Sequence, residues 1–137
     1  MLHRFSISLL LAAVTAVSGC GENNDRPRDV TRAYLQAVSH GDGAKACSLL
    51  AAGFRKITAE AAGINGITCE ESVTRMARMG DAAARAELAK AQLADEGSGG
   101  AGSVWVRITS GPWRDQLVTL RKENGKWRIA SQTAPQR

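Results

Sequence analysis

Three cysteines, two histidines and a single tyrosine are the side chains of this 137-residue chain best suited to covalent or proton chemistry. Cys20 stands alone where an apolar run gives way to polar residues, in VTAVSGCGENND (14–25). Cys47 and Cys69 form an even pair that an oxidising compartment would close into a disulfide and a reducing one would leave as two buried thiols. His40 falls at an expected helix end, where an imidazolium favours the helix dipole. Tyr34 is expected to pack in the core with its hydroxyl bonded locally. No metal-ligand spacing and no G-x-S-x-G turn occurs, and GSGGAG (97–102) lacks the lysine and the helix of a phosphate loop. Acid–base catalysis needs a titratable group in a pocket, and none can be nominated. The chain is therefore expected not to be an enzyme, with no catalytic residue, cofactor or metal.

The position of Cys20 decides the compartment. Phe5 to Gly19 carry no charge but include Ser6, Ser8, Thr15 and Ser18. That run falls short of the roughly 20 apolar residues of a membrane-spanning helix and fits a secretory leader. Val17-Ser18-Gly19-Cys20 resembles the lipobox of bacterial lipoproteins, in which the cysteine is lipidated and becomes the first residue of the mature chain. The other reading is an ordinary leader followed by a chance cysteine. The resemblance implies a diacylglycerol on Cys20, and two acyl chains anchor stably where one does so only marginally. Residues 1–19 are then the signal peptide, 20–26 a lipid-anchored tether, 27–132 a single domain and 133–137 a tail.

Without the leader, 17 basic residues face 13 acidic ones, a net charge of +4. A mildly basic extracytoplasmic chain suits anionic lipid or envelope polymer, and nucleic acid is not an expected partner. In an exported domain the Cys47–Cys69 pair is expected to be oxidised, and closing a loop of about 22 residues should stabilise by roughly 3 kcal/mol.

The first half of the domain reads as helix. Pro27 suits a first helical turn, and Val30, Ala33, Tyr34, Ala37 and Val38 form an amphipathic stripe ended by Gly41. Asp42 can cap a second helix through Ala46, Cys47 and Leu50. Thr68-Cys69-Glu70-Glu71 matches a capping box for a further helix through Val73, Met76 and Ala77, ended by Gly80. Phe54–Ala62 is expected as a short helix broken by Gly63 and Gly66. The second half reads as sheet. Val104, Val106 and Ile108 alternate with Trp105, Arg107 and Thr109. Residues 116–123 form a second strand, Asn124-Gly125 a hairpin turn, and Trp127 and Ile129 the inward positions of the next strand. GSGGAG reads as a flexible loop. Residues 86–94 have high helix propensity, but a sheet that must cover the helices needs a fourth strand, so they are assigned to it.

Helices followed by a curved antiparallel sheet define an α+β chain. VTRAYLQAVSHGDGAKACSLL (30–50), the Cys69-Glu70-Glu71 run and the closing NGKWRIAS (124–131) together resemble nuclear transport factor 2-like, cystatin-like cone domains, including those of lipoproteins in high-GC Gram-positive bacteria. The resemblance covers residues 27–132 and implies a helix–sheet cavity that Tyr34, Phe54, Met76 and Trp127 could line. Two functions stay open. In one, the outer sheet face, with Trp105, Arg107, Arg121, Lys126 and Arg128, docks an envelope protein or polymer at the membrane. In the other, the cavity binds a small apolar ligand. The first is preferred, because the inward sheet positions are apolar enough to be filled core.

Overall fold

The computed structural model describes residues 26–135. Helix α1 (Pro27–Ser39) has Pro27 in its opening position, where its missing N–H costs nothing, and buries Val30, Tyr34, Leu35 and Ala37. Gly41 ends it with φ of 69°, a backbone conformation in which glycine carries no Cβ penalty. The amides of Gly41 and Asp42 reach back to the carbonyls of Val38 and Ala37 at 3.0 and 2.9 Å, which satisfies the last turn. Asp42 then starts α2 (Gly43–Ser48) by accepting from the Lys45 amide. After α3 (Ala52–Glu60), the expected capping box opens α4 (Cys69–Met79), with Thr68 and Glu71 bonding each other's backbone amides at 3.1 and 2.9 Å.

The three helices α2, α3 and α4 are fastened at named points. A disulfide joins Cys47 to Cys69 (S–S 2.07 Å). Ser72 donates to the Thr58 carbonyl at 2.8 Å, tying α4 to α3. At Gly43 an added Cβ would lie 2.2 Å from the Glu70 carbonyl oxygen, so α2 and α4 meet closer than any side chain allows.

The strand expected over 86–94 is not there. Residues Ala82–Ala89 form α5, capped by Asp81 and packed on α1, with Leu88 buried. The fourth strand lies further on, as β1 (Leu93–Ser98). Alanine-rich 82–89 keeps its intrinsic helical preference. LADEGS is a poor strand former, held as an edge strand by pairing with its neighbour. The first two residues of GSGGAG thus belong to the strand.

β1, β2 (Val104–Ile108), β3 (Leu117–Glu123) and β4 (Lys126–Thr133) form an antiparallel sheet in chain order. Asn124 and Gly125 turn the last hairpin with φ of 51° and 76°, the geometry of a two-residue primed turn. The sheet is bulged twice, between Asp95 and Gly97 on β1 and at Ala130 on β4, where Thr119 pairs with Ser131 but Leu120 with Ile129. Val106, Ile108, Val118, Leu120 and Ile129 are fully buried against Val30, Leu35, Cys47 and Val73 of the helices. Val104 and Trp127, also expected inward, pack at the margin of this core. The protein is an α+β domain with its helices on one face of an open four-stranded sheet.

Candidate functional site

Strand alternation sends every second residue to the face the helices leave uncovered. Across β2, β3 and β4 the register forms a row of Trp105, Thr119 and Ser131, with Arg107, Leu117 and Thr133 on one side of it. On the other side Arg121 faces Arg128, and beyond them Glu123 faces Lys126. Trp105 is 36% exposed. Its ring folds back over its own hairpin, so that a Cβ at Gly99 would lie 2.8 Å from the indole. All five residues expected on this face, Trp105, Arg107, Arg121, Lys126 and Arg128, occupy it by register.

Their electrostatic roles differ. Arg107 pairs with Glu96, the residue left over at the β1 bulge, and also donates to the Asp115 carbonyl at 3.2 Å. It is a neutralised cation. Arg121 and Arg128 stand opposite each other, an arrangement of like charges that costs stability. Arg128 donates to the Trp127 carbonyl at 3.2 Å. Among the described residues no carboxylate pairs with Arg121, Lys126 or Arg128. Lys122 was not part of the expected set. Its ammonium lies 5.3 Å from the centre of the Trp127 ring, a cation–π distance. The signal for it was present in RKENGKWR (121–128), whose basic residues flank the turn on both strands.

The four candidate cavity residues are not gathered into one lining. Tyr34 is buried, with its ring 6.4 Å from that of Trp113. Burial pushes its hydroxyl up to about 12, so at neutral pH it holds its proton and is a poor base. Phe54 and Trp127 pack at the core margin, and Met76 is 44% exposed on α4. Two surface grooves among the described residues touch none of the four. One, of about 1020 Å³, runs along α4 past Ile64, Ile67, Glu70, Thr74, Arg75 and Arg78. The other, of about 330 Å³, lies where α1 begins, between Arg26, Pro27, Asp95, Gly97, Val104 and Trp105. Among the described residues, no cluster of histidine, cysteine, aspartate and glutamate is placed to hold a metal ion.

Helices on one face of an open, bulged antiparallel sheet, with an aromatic and cations on the other face, define the class of this protein structurally. Residues 18–130 match the family described as Domain of unknown function (DUF4878), and the chain belongs to that family. No curated protein and no solved structure matches it.

Proposed function

We propose that the protein is a lipid-anchored, extracytoplasmic interaction domain that docks an envelope protein or polymer on the outer face of its sheet and carries out no catalysis. The observation that carries this reading is the uncovered face itself, with Trp105 at its centre and cations along one end. An exposed tryptophan beside arginines has the composition of binding surfaces. The Cys47–Cys69 disulfide supports export, since such bonds persist in oxidising compartments. The anchor is Cys20 in the lipobox-like sequence, which lies outside the described residues. No helix among the described residues is long and apolar enough to cross a membrane, and in this reading the lipid provides the attachment. The domain itself is read as a variant of the nuclear transport factor 2-like cone, its curvature supplied by the two bulges. That Tyr34, Phe54, Met76 and Trp127 are not gathered into one lining supports a docking face over a ligand cavity.

Two measurements test the reading. Cys20→Ala should abolish lipid incorporation and release the chain from membranes. A photo-crosslinker at Thr119 should capture an envelope component that the same group on Gln36, exposed on α1, does not. Capture from both positions or from neither would overturn the docking face.

A further inference from the structure

The hairpin of a meander alternates between the two ends of the sheet. The β1–β2 turn (residues 99–103) and the Asn124-Gly125 turn therefore lie at one end, and the β2–β3 connection around Trp113 at the other. Helix α1 also begins at the first end. Arg28 pairs with Asp95 at 2.9 Å, and Arg26 and Pro27 share a groove with Gly97, Val104 and Trp105. Val104 pairs with Leu120, one residue short of Arg121.

From these positions we infer that this end of the domain rests on the anionic lipid surface that holds the anchor, with the β3–β4 hairpin as the contact. The inference rests on the proposed lipidation of Cys20. Five residues separate Cys20 from Arg26, six steps along the chain and a reach of at most about 22 Å at roughly 3.3–3.6 Å per residue. The seven-residue β3 is itself about 23 Å long, so the tether is no longer than the sheet is tall. The start of α1 must stay near the lipid, although the domain could still lie on its side. Charge selects the upright arrangement. Arg26 and Arg28 are neutralised by Asp29 and Asp95. The hairpin carries Arg121, Lys122, Lys126 and Arg128 against one acid, Glu123, whose carboxylate accepts from the Ala52 amide at 3.4 Å. Basic residues held within a Debye length of an anionic membrane are attracted to it. The α3–α4 side is more nearly balanced, with Arg55, Lys56, Arg75 and Arg78 against Glu60, Glu70 and Glu71, and Glu70 is paired with Arg55 at 3.0 Å. With the hairpin down, the Arg121, Lys126 and Arg128 end of the outer sheet face meets the lipid, and the remainder, around Trp105 and Thr119, stands open to a partner.

The test uses the full lipidated chain reconstituted into phosphatidylglycerol vesicles with an energy acceptor on the headgroups. A donor is placed at Gly100→Cys, on the β1–β2 turn, or at Pro112→Cys, at the other end. Transfer should be strong from residue 100 and weak from residue 112. The difference should shrink in phosphatidylcholine vesicles, and in anionic vesicles when R121E, K126E and R128E are combined. The neutral-lipid arm with the parent chain holds whether or not the triple variant folds. Equal transfer from the two sites, stronger transfer from residue 112, or a difference as large in neutral as in anionic lipid would overturn the inference while leaving the anchor intact. A difference seen only after an acidic envelope protein is added would overturn it in favour of a protein contact. Mass spectrometry showing Cys20 without lipid would overturn the inference and the anchor together.

Discussion

Tyr34 is the one phenol of the chain, and its environment makes it a reporter of folding. Desolvation raises its hydroxyl to about 12 from an ordinary value of 10.0. The folded state therefore holds this proton more tightly than the unfolded chain does. The associated stability is complete below pH about 10 and is lost as pH rises from about 10 to about 12, by about 2–3 kcal/mol. Denaturant unfolding at stepped alkaline pH, followed together with phenolate absorbance, should show the tyrosine ionising only as the domain unfolds. In Tyr34→Phe this part of the alkaline loss should be absent. Phenolate absorbance rising near pH 10 in the folded chain would contradict the buried environment. Arg107 teaches the complementary lesson at this scale. Strand alternation alone places it on the outer face, but its charge is cancelled by Glu96, which reaches it only because β1 is bulged at that residue.

At the scale of elements, the link between α2 and α4 carries two predictions. Gly43→Ala should destabilise by about 1–3 kcal/mol, the usual cost of overpacking, because the new Cβ would run into the backbone carbonyl of Glu70 as well as the Thr74 hydroxyl. Thermal or denaturant unfolding measures it, and an unchanged midpoint would mean that the helices separate freely. Replacing Cys47 and Cys69 by serine should cost about 3 kcal/mol and lower the unfolding temperature by more than about ten degrees. Thiol labelling of the exported parent should find neither cysteine reactive. Four helix ends were the most legible features, since Gly41, Asp42 and the Thr68–Glu71 box mark them by local hydrogen bonding and Pro27 by its fixed φ and missing donor. The first strand is misplaced because the helix propensity of 86–94, which the structure keeps through Ala89, is set aside for the needs of the sheet. An edge strand is held by its neighbour's backbone, and nothing in LADEGS itself announces that pairing.

For the whole molecule, anchoring and orientation separate. Two acyl chains suffice for retention, so combining Arg121→Ser, Lys126→Ser and Arg128→Ser should leave membrane fractionation unchanged. The unfolding temperature should hold or rise slightly, since the change removes the opposed Arg121 and Arg128. Release of this variant from membranes by salt alone would show that the cations, and not a lipid, provide the attachment.

The sequence by itself determined the α+β class, the helix boundaries set by caps and glycines, the Asn124-Gly125 hairpin and the apolar side of β2, β3 and β4. These follow from interactions within a few residues of one another, or from the two-residue period of a strand. Only the tertiary structure decided the place of β1, the two bulges, the neutralisation of Arg107 and the setting of Lys122 over Trp127. It also brought the start of α1 to the same end of the sheet as the cationic hairpin. Each of these depends on which strand pairs with which and in what register. That choice is made by backbone hydrogen bonds and core burial summed over residues far apart in the chain, which no local pattern encodes.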